Sequence, residues 1–191
     1  MPLGLKIVTA PTVEPVTLVT AKARLRVTVS AEDDDITALI AECRAQAEAE
    51  CGRAFVTQTW DLTLDDFPGR GGDIRVPLPP LQSVTWVKYR DAAGSLVTMD
   101  AADYWAAATG SPGRVVPVAD YWPGVQYGRP EAVQVRFVAG YAGTASGLPP
   151  EVRAAVLAIL SDRHANPDGG DRGIPPAARR LLDSLEYGEV R

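Results

Sequence analysis

The run Val16-Thr17-Leu18-Val19-Thr20-Ala21-Lys22-Ala23-Arg24-Leu25-Arg26-Val27, a short break, and then Asp33 to Cys51 closing on Gly52-Arg53 reads as two packed helices. Thr17 stands directly before Leu18, Ala21 and Leu25, where its hydroxyl oxygen can accept from an unpaired first-turn amide. The second helix opens on Glu32, Asp33, Asp34 and Asp35, acids favoured at the positive end of the macrodipole. It carries Ile36, Leu39, Ile40, Cys43 and Ala47 at three- and four-residue spacing, which makes one face apolar. Gly52, lacking a Cβ, is suited to the left-handed conformation that ends a helix. The three consecutive Asp lack the alternating oxygen ligands, central Gly and distal Glu of a calcium loop, so they are read as helix-start charge.

Working outward from this pair, the residues before it hold Pro2, Pro11 and Pro15 among apolar and β-branched neighbours, and 1–15 is expected to be an extended N-terminal arm. After it the period changes to two. Val56, Trp60, Leu62 and Leu64 alternate with Thr57, Thr59, Asp61 and Thr63, the pattern of a half-buried strand. Turn formers over 67–73 and a second alternation through Ile74, Val76 and Leu78 suggest a first hairpin. Val84–Tyr89 and Leu96–Met99 flanking Asp91-Ala92-Ala93-Gly94-Ser95 suggest a second. Val115–Val118 and Ala132–Val138 add further strands, with Trp60, Trp86, Tyr89 and Phe137 as core aromatics. The glycines of Gly69-Arg70-Gly71-Gly72 lack a G-K-[ST] ending and a following helix, so they read as a hairpin tip and not a phosphate loop.

Leu148-Pro149-Pro150 pre-sets a third helix, with Glu151 early and Val152, Val156, Ile159 and Leu160 at helical spacing. The lone histidine, His164, falls at its C-terminal end, where positive charge is favoured. Residues 166–173 have linker composition, and Pro175-Pro176 opens a last short helix bearing Leu181, Leu182 and Leu185 with Arg179 and Arg180 beside them. The expected fold class is α+β: a small helical bundle (16–54 and 148–165), an inserted antiparallel β-sheet or sandwich (55–140), and a linker with a C-terminal tail helix (166–191).

Composition narrows the function classes. At 191 residues and 46% hydrophobic, the chain is long enough to bury a core. No stretch reaches the ~20 apolar residues that span a bilayer, and the N-terminus lacks a signal-peptide pattern, so a cytoplasmic site of synthesis is expected. Net charge is −5, the wrong sign for gripping nucleic acid through phosphate neutralisation. Cys43 and Cys51 lie eight residues apart on one helix, about 12 Å at 1.5 Å per residue, beyond the ~7 Å Cα separation of a disulfide. No histidine pair, nucleophile motif, metal-ligand spacing or cofactor loop occurs, so no catalytic residue, metal or cofactor is expected.

Order and spacing of the motifs carry a resemblance. V-T-L-x-x-A-K-x-x-L-R-V, an acidic spacer, an alanine-rich helix and then G-R-A-F-V-T-Q-T-W, followed by Leu78-Pro79-Pro80-Leu81-Gln82-Ser83-Val84, Phe137-Val138-Ala139-Gly140-Tyr141 and Leu148-Pro149-Pro150-Glu151-Val152-Arg153, resembles the head-tail connector (adaptor) proteins of tailed phages. The likeness covers most of the chain to about residue 165. It implies a structural virion protein, not an enzyme, assembled as a dodecameric ring beneath the portal and joining the DNA-filled head to the tail or stopper. Its partners would be the portal, a stopper or tail-completion protein, and further copies of itself, with DNA passing through the lumen unread and no membrane involved. It would be made in the host cytoplasm and reside in the neck of a phage or gene transfer agent. The portal-binding residues implied are Arg179, Arg180, Leu181, Leu182 and Leu185, the leucines seeking a groove and the arginines acidic groups. Family members often end on Leu-Leu followed by a Tyr-Arg pair, and Leu181-Leu182-Asp183-Ser184-Leu185-Glu186-Tyr187-Gly188-Glu189-Val190-Arg191 departs from that.

One alternative comes from another class. Asp100, Asp103 and Asp120 beside Trp105 and Trp122 have the makings of a carbohydrate-binding or small hydrolase site, which would need two carboxylates about 5–10 Å apart across a cleft.

Overall fold

A computed structural model describes residues 3–166 and 173–187. The chain is α+β and divides into two compact units: one built from Met1–Ala10 and Thr57–Gly140, the other from Pro11–Val56 and Tyr141–Arg191. The expected linker falls mostly on residues 167–172, and the end of the tail on 188–191, outside the described residues.

The second unit is helical. Helix α1 (Leu18–Leu25) starts where Thr17 Oγ1 accepts from Thr20 N at 3.2 Å, and stops at Arg26 in the left-handed region. Helix α2 (Asp33–Cys51) ends on Gly52 at φ 62°. Its apolar face is the one expected: Ile36, Ile40, Cys43 and Ala47 are buried and Leu39 packs beside them. Glu32 makes no side-chain cap. Instead Lys22 reaches from α1 to the Asp33 carboxylate and to Val29 O, clamping the two helix ends together. Helix α3 (Pro150–Ala165) adds Val152, Ala155, Val156, Ile159 and Leu160 to the same core. Arg24 Nε donates to Ser161 Oγ at 3.3 Å, and an Arg163 guanidinium nitrogen to Gln46 Oε1 at 3.2 Å. Helix α4 (Pro176–Tyr187) closes the unit.

The first unit holds two antiparallel sheets. Five strands run in the order β1 (Leu3–Thr9), β2 (Gln58–Leu64), β8 (Val133–Ala139), β4 (Leu81–Arg90), β5 (Leu96–Thr98). Three more run β3 (Ile74–Val76), β7 (Gly113–Pro117), β6 (Tyr104–Ala107). Alternation sorts the large sheet's residues as period two demands. Leu62, Leu64, Val87, Val133, Val135 and Phe137 are buried, while Asp61, Arg136, Trp86 and Lys88 take the opposite face.

The strands refine several sequence expectations. Within the expected extended arm, Leu3-Gly4-Leu5-Lys6-Ile7-Val8-Thr9 has no proline between Pro2 and Pro11 and forms β1, paired with β2 from Leu3↔Leu64 to Thr9↔Thr59 with a register shift between Ile7 and Thr9. The first hairpin does not form, because β2 pairs with β1 and β8 while β3 pairs with β7. The hairpin β4–β5 does form, its turn drawn in by Asp91, which accepts from Ala93 N and Ser95 N at 3.0 and 2.9 Å. Nor are the glycines at 69–72 a free tip. Gly71 sits at φ +70° so close to the Asp120 carbonyl that an added Cβ would fall 2.1 Å from its oxygen.

Candidate functional site

The residues of the carbohydrate or hydrolase alternative are only partly brought together. A cavity of about 450 Å³ in the sheet unit is lined by Tyr89, Met99, Asp100, Asp103, Tyr121 and Trp122 among others, but not by Asp120 or Trp105. Trp105 lies on β6 with 61% of its surface exposed. Asp100 already caps the short turn Ala101–Asp103, its carboxylate accepting from Ala102 N at 3.0 Å. Trp122 is held as a structural group: its indole nitrogen donates to Gly72 O at 2.8 Å and its ring stacks on Phe67 at 4.6 Å. Phe67 in turn meets Tyr89 at 5.7 Å. Burial, aided by the Asp100 charge, raises the Tyr104 phenol above its ordinary range. These aromatics pack together as part of a core, and the Asp100 carboxylate serves a turn. Among the described residues no group of three or more His, Cys, Asp or Glu is arranged to hold a metal ion.

Across the outer face of the five-stranded sheet runs a charged row. Lys6 stands opposite Asp61, and Asp61 opposite Arg136. Arg136 donates twice to the Asp61 carboxylate, at 2.7 and 2.8 Å, a planar fork on a planar acceptor. That hydrogen bonding, outweighing burial, holds Arg136 above its ordinary pKa. Arg136 and Lys88 both sit on the Trp86 ring, 4.9 and 4.6 Å from its centroid. Trp86, expected in the core, is therefore a half-buried platform for two cations.

The implied portal-binding residues separate by burial. Leu182 is 1% exposed in this chain's own core, with Ala178 and Ile174, while Leu181 and Leu185 pack against that core and remain partly exposed. Arg179 pairs with Glu50 of α2 at 2.5 Å, and Arg180 is exposed. The expectation that the leucines await a foreign surface is corrected for Leu182: i, i+4 spacing from Ala178 puts both on the face that α3 and α2 already cover.

Sequence reasoning did not single out the polar centre at the end of α2. Glu48 accepts from Phe55 N at 2.7 Å and from Arg44 at 2.6 Å, and Arg44 also donates to Glu14 at 2.8 Å. Burial alone would lower the Arg44 pKa, but the hydrogen bond to Glu14 and the two nearby carboxylates outweigh it and hold it above its ordinary value. Arg53, 4% exposed, donates to Tyr141 Oη at 2.9 Å, while Tyr141 N donates to Phe55 O at 2.8 Å. Arg53 and Tyr141 lie inside the two motifs G-R-A-F and A-G-Y, 88 residues apart in sequence. Those motifs therefore hold the segment after α2 beside the one that leads to α3.

No protein-family model matches the sequence, and no curated protein does. Solved structures do. The chain is similar to one in the virion of a native gene transfer agent (GTA) particle, at 21% identity and TM-score 0.78, over 94% of this chain and 93% of that one. It is similar to one in the neck of the empty GTA particle computed with C6 symmetry, at 22% identity and TM-score 0.80, over 95% and 94%. A third, in the neck of the native GTA particle computed with C12 symmetry, has 23% identity and TM-score 0.71, over 95% and 93%. At these identities the likeness establishes a shared fold along nearly the whole of both chains.

Proposed function

We propose that this chain is a structural neck protein: a head-tail connector (adaptor) that assembles as a ring under the portal of a phage or gene transfer particle and joins the DNA-filled head to the tail or stopper. One observation carries this reading, the end-to-end fold match to chains of GTA virion and neck particles. Rotational symmetry in the particles that hold the similar chains supports a ring, and twelve copies would suit the C12 case. Acidic net charge fits a protein that lets DNA pass without holding it. On this reading the helical unit and residues 166–191 face the portal, with Arg180, Leu181 and Leu185 as contact residues; Arg179 would join them on release from Glu50. The chain would be made in the host cytoplasm and end in the virion neck, with no catalytic role.

Removal of the gene from a producing strain tests the proposal. Electron microscopy should then show DNA-filled heads and separate tails, and the neck density should return when the full chain is supplied. Normal tailed particles without this chain, or its absence from purified necks, would overturn it.

A further inference from the structure

The five-stranded sheet has two open sides, and they differ. On one side β1 ends the sheet. Every residue from Gly4 to Thr9 is exposed, including Leu5 at 38%, Ile7 at 41% and Val8 at 41%. An apolar edge strand of this kind presents a row of unpaired amides and carbonyls and is a template for another strand. On the other side β5 covers β4 only at Lys88–Arg90, with Met99 N donating to Val87 O at 2.9 Å where that cover ends. The outer side of β4 from Gln82 to Trp86 carries no neighbouring strand among the described residues, and Gln82, Ser83 and Thr85 are exposed.

We propose that β1 of one copy adds as a further strand beside Gln82–Trp86 of β4 in the next copy, so that backbone hydrogen bonds join the subunits of the ring. This rests on the ring reading above, and deepens it by naming the surfaces. A second copy is the fitting occupant because the two open edges lie on opposite sides of one sheet. Their pairing is heterologous and repeats by rotation, as closed rings require, whereas β1 against β1 would stop at a two-fold dimer. The seven residues of β1 are long enough to span the five-residue opening Gln82–Trp86. Pro2 and Pro11, which cannot donate to a ladder, bracket β1 and limit sliding.

Cross-linking and hydrogen exchange on full-length protein in isolated necks test this. Lys6→Cys combined with Ser83→Cys or Thr85→Cys should give a disulfide ladder of oligomers on mild oxidation, and none of the single variants should. Cys43 is buried and Cys51 half-buried, and burial pushes both thiols up to about 11, so native thiols contribute little background. Amides of residues 3–9 and 82–86 should exchange at least about tenfold more slowly in necks than in free protein. Leu5→Lys/Ile7→Lys should fold by circular dichroism and fail to enter necks. Dimers from Lys6→Cys alone, or intact rings with unchanged exchange at both segments, would overturn the edge pairing and leave the ring reading standing. Necks in which this chain forms no ring would overturn both.

Discussion

Individual residues carry consequences that separate by what surrounds them. Gly71 and Gly52 both have positive φ, but a Cβ at Gly71 would strike the Asp120 carbonyl while one at Gly52 meets nothing within 4 Å. Gly52→Ala should therefore cost about 1 kcal/mol for the left-handed backbone alone. Gly71→Ala should cost more, about 2–4 kcal/mol once the clash is added; urea melts of the two variants give the comparison. Glu48→Ala should be as damaging, at about 2–4 kcal/mol, because it strands the Phe55 amide and half of the Arg44 pairing at once. For the cysteines the sign is fixed by burial. A thiol raised from 9.0 to about 11 holds its proton in the folded state where the unfolded chain has lost it, so stability falls as pH rises from about 9 to 11. Cys43→Ala/Cys51→Ala should have a shallower decline over that window, read from melting temperature against pH.

At the scale of elements, α4 is the one whose standing changed most. Its twelve residues are near the length that is marginal in isolation, which is why its leucines suggested a partner's groove. Tertiary packing answers this within the chain, since Ala178 and Leu182 complete the core of α1, α2 and α3. Leu182→Ala should lower stability by about 2–5 kcal/mol, whereas Arg180→Ala, at an exposed position, should stay within about 0.5 kcal/mol. Deleting residues 174–191 should reduce the melting temperature of the helical unit. If the truncated chain melts like the full one, α4 does not hold this core. Arg180→Glu tests the portal role separately, because it should leave the melt unchanged and reduce tail attachment.

For the whole molecule, the chain crosses three times between its two units, and the proposal of a neck protein belongs at this scale, since it rests on the fold match along nearly the whole chain and not on a constellation of side chains among the described residues. Two residues of the cavity illustrate the contrast: Asp100 and Trp122, which in sequence look like parts of a sugar site, are a turn cap and a stacked core ring in space. Asp103→Asn should accordingly leave assembly and particle infectivity unchanged, measured by gene or DNA delivery per particle. A drop to below about a tenth of wild type with the fold intact would reinstate the cavity as a working site.

Local chemistry was sufficient for much of this protein. Thr17, Gly52, Pro150 and the 3.6-residue spacing of Ile36, Ile40, Cys43 and Ala47 determine helix ends and faces through interactions a few residues long, and all are legible without coordinates. Asp91 and Gly94 do the same for the β4–β5 turn. Strand partners are another matter, because a period of two says which face is apolar but not which strand lies alongside. That choice brought residues 3–9 to β2, sent β3 to β7, and left β1 and half of β4 with open edges. Burial of Leu182 and the meeting of Arg53 with Tyr141 were likewise decided only in three dimensions, by the shape complementarity of segments far apart in sequence.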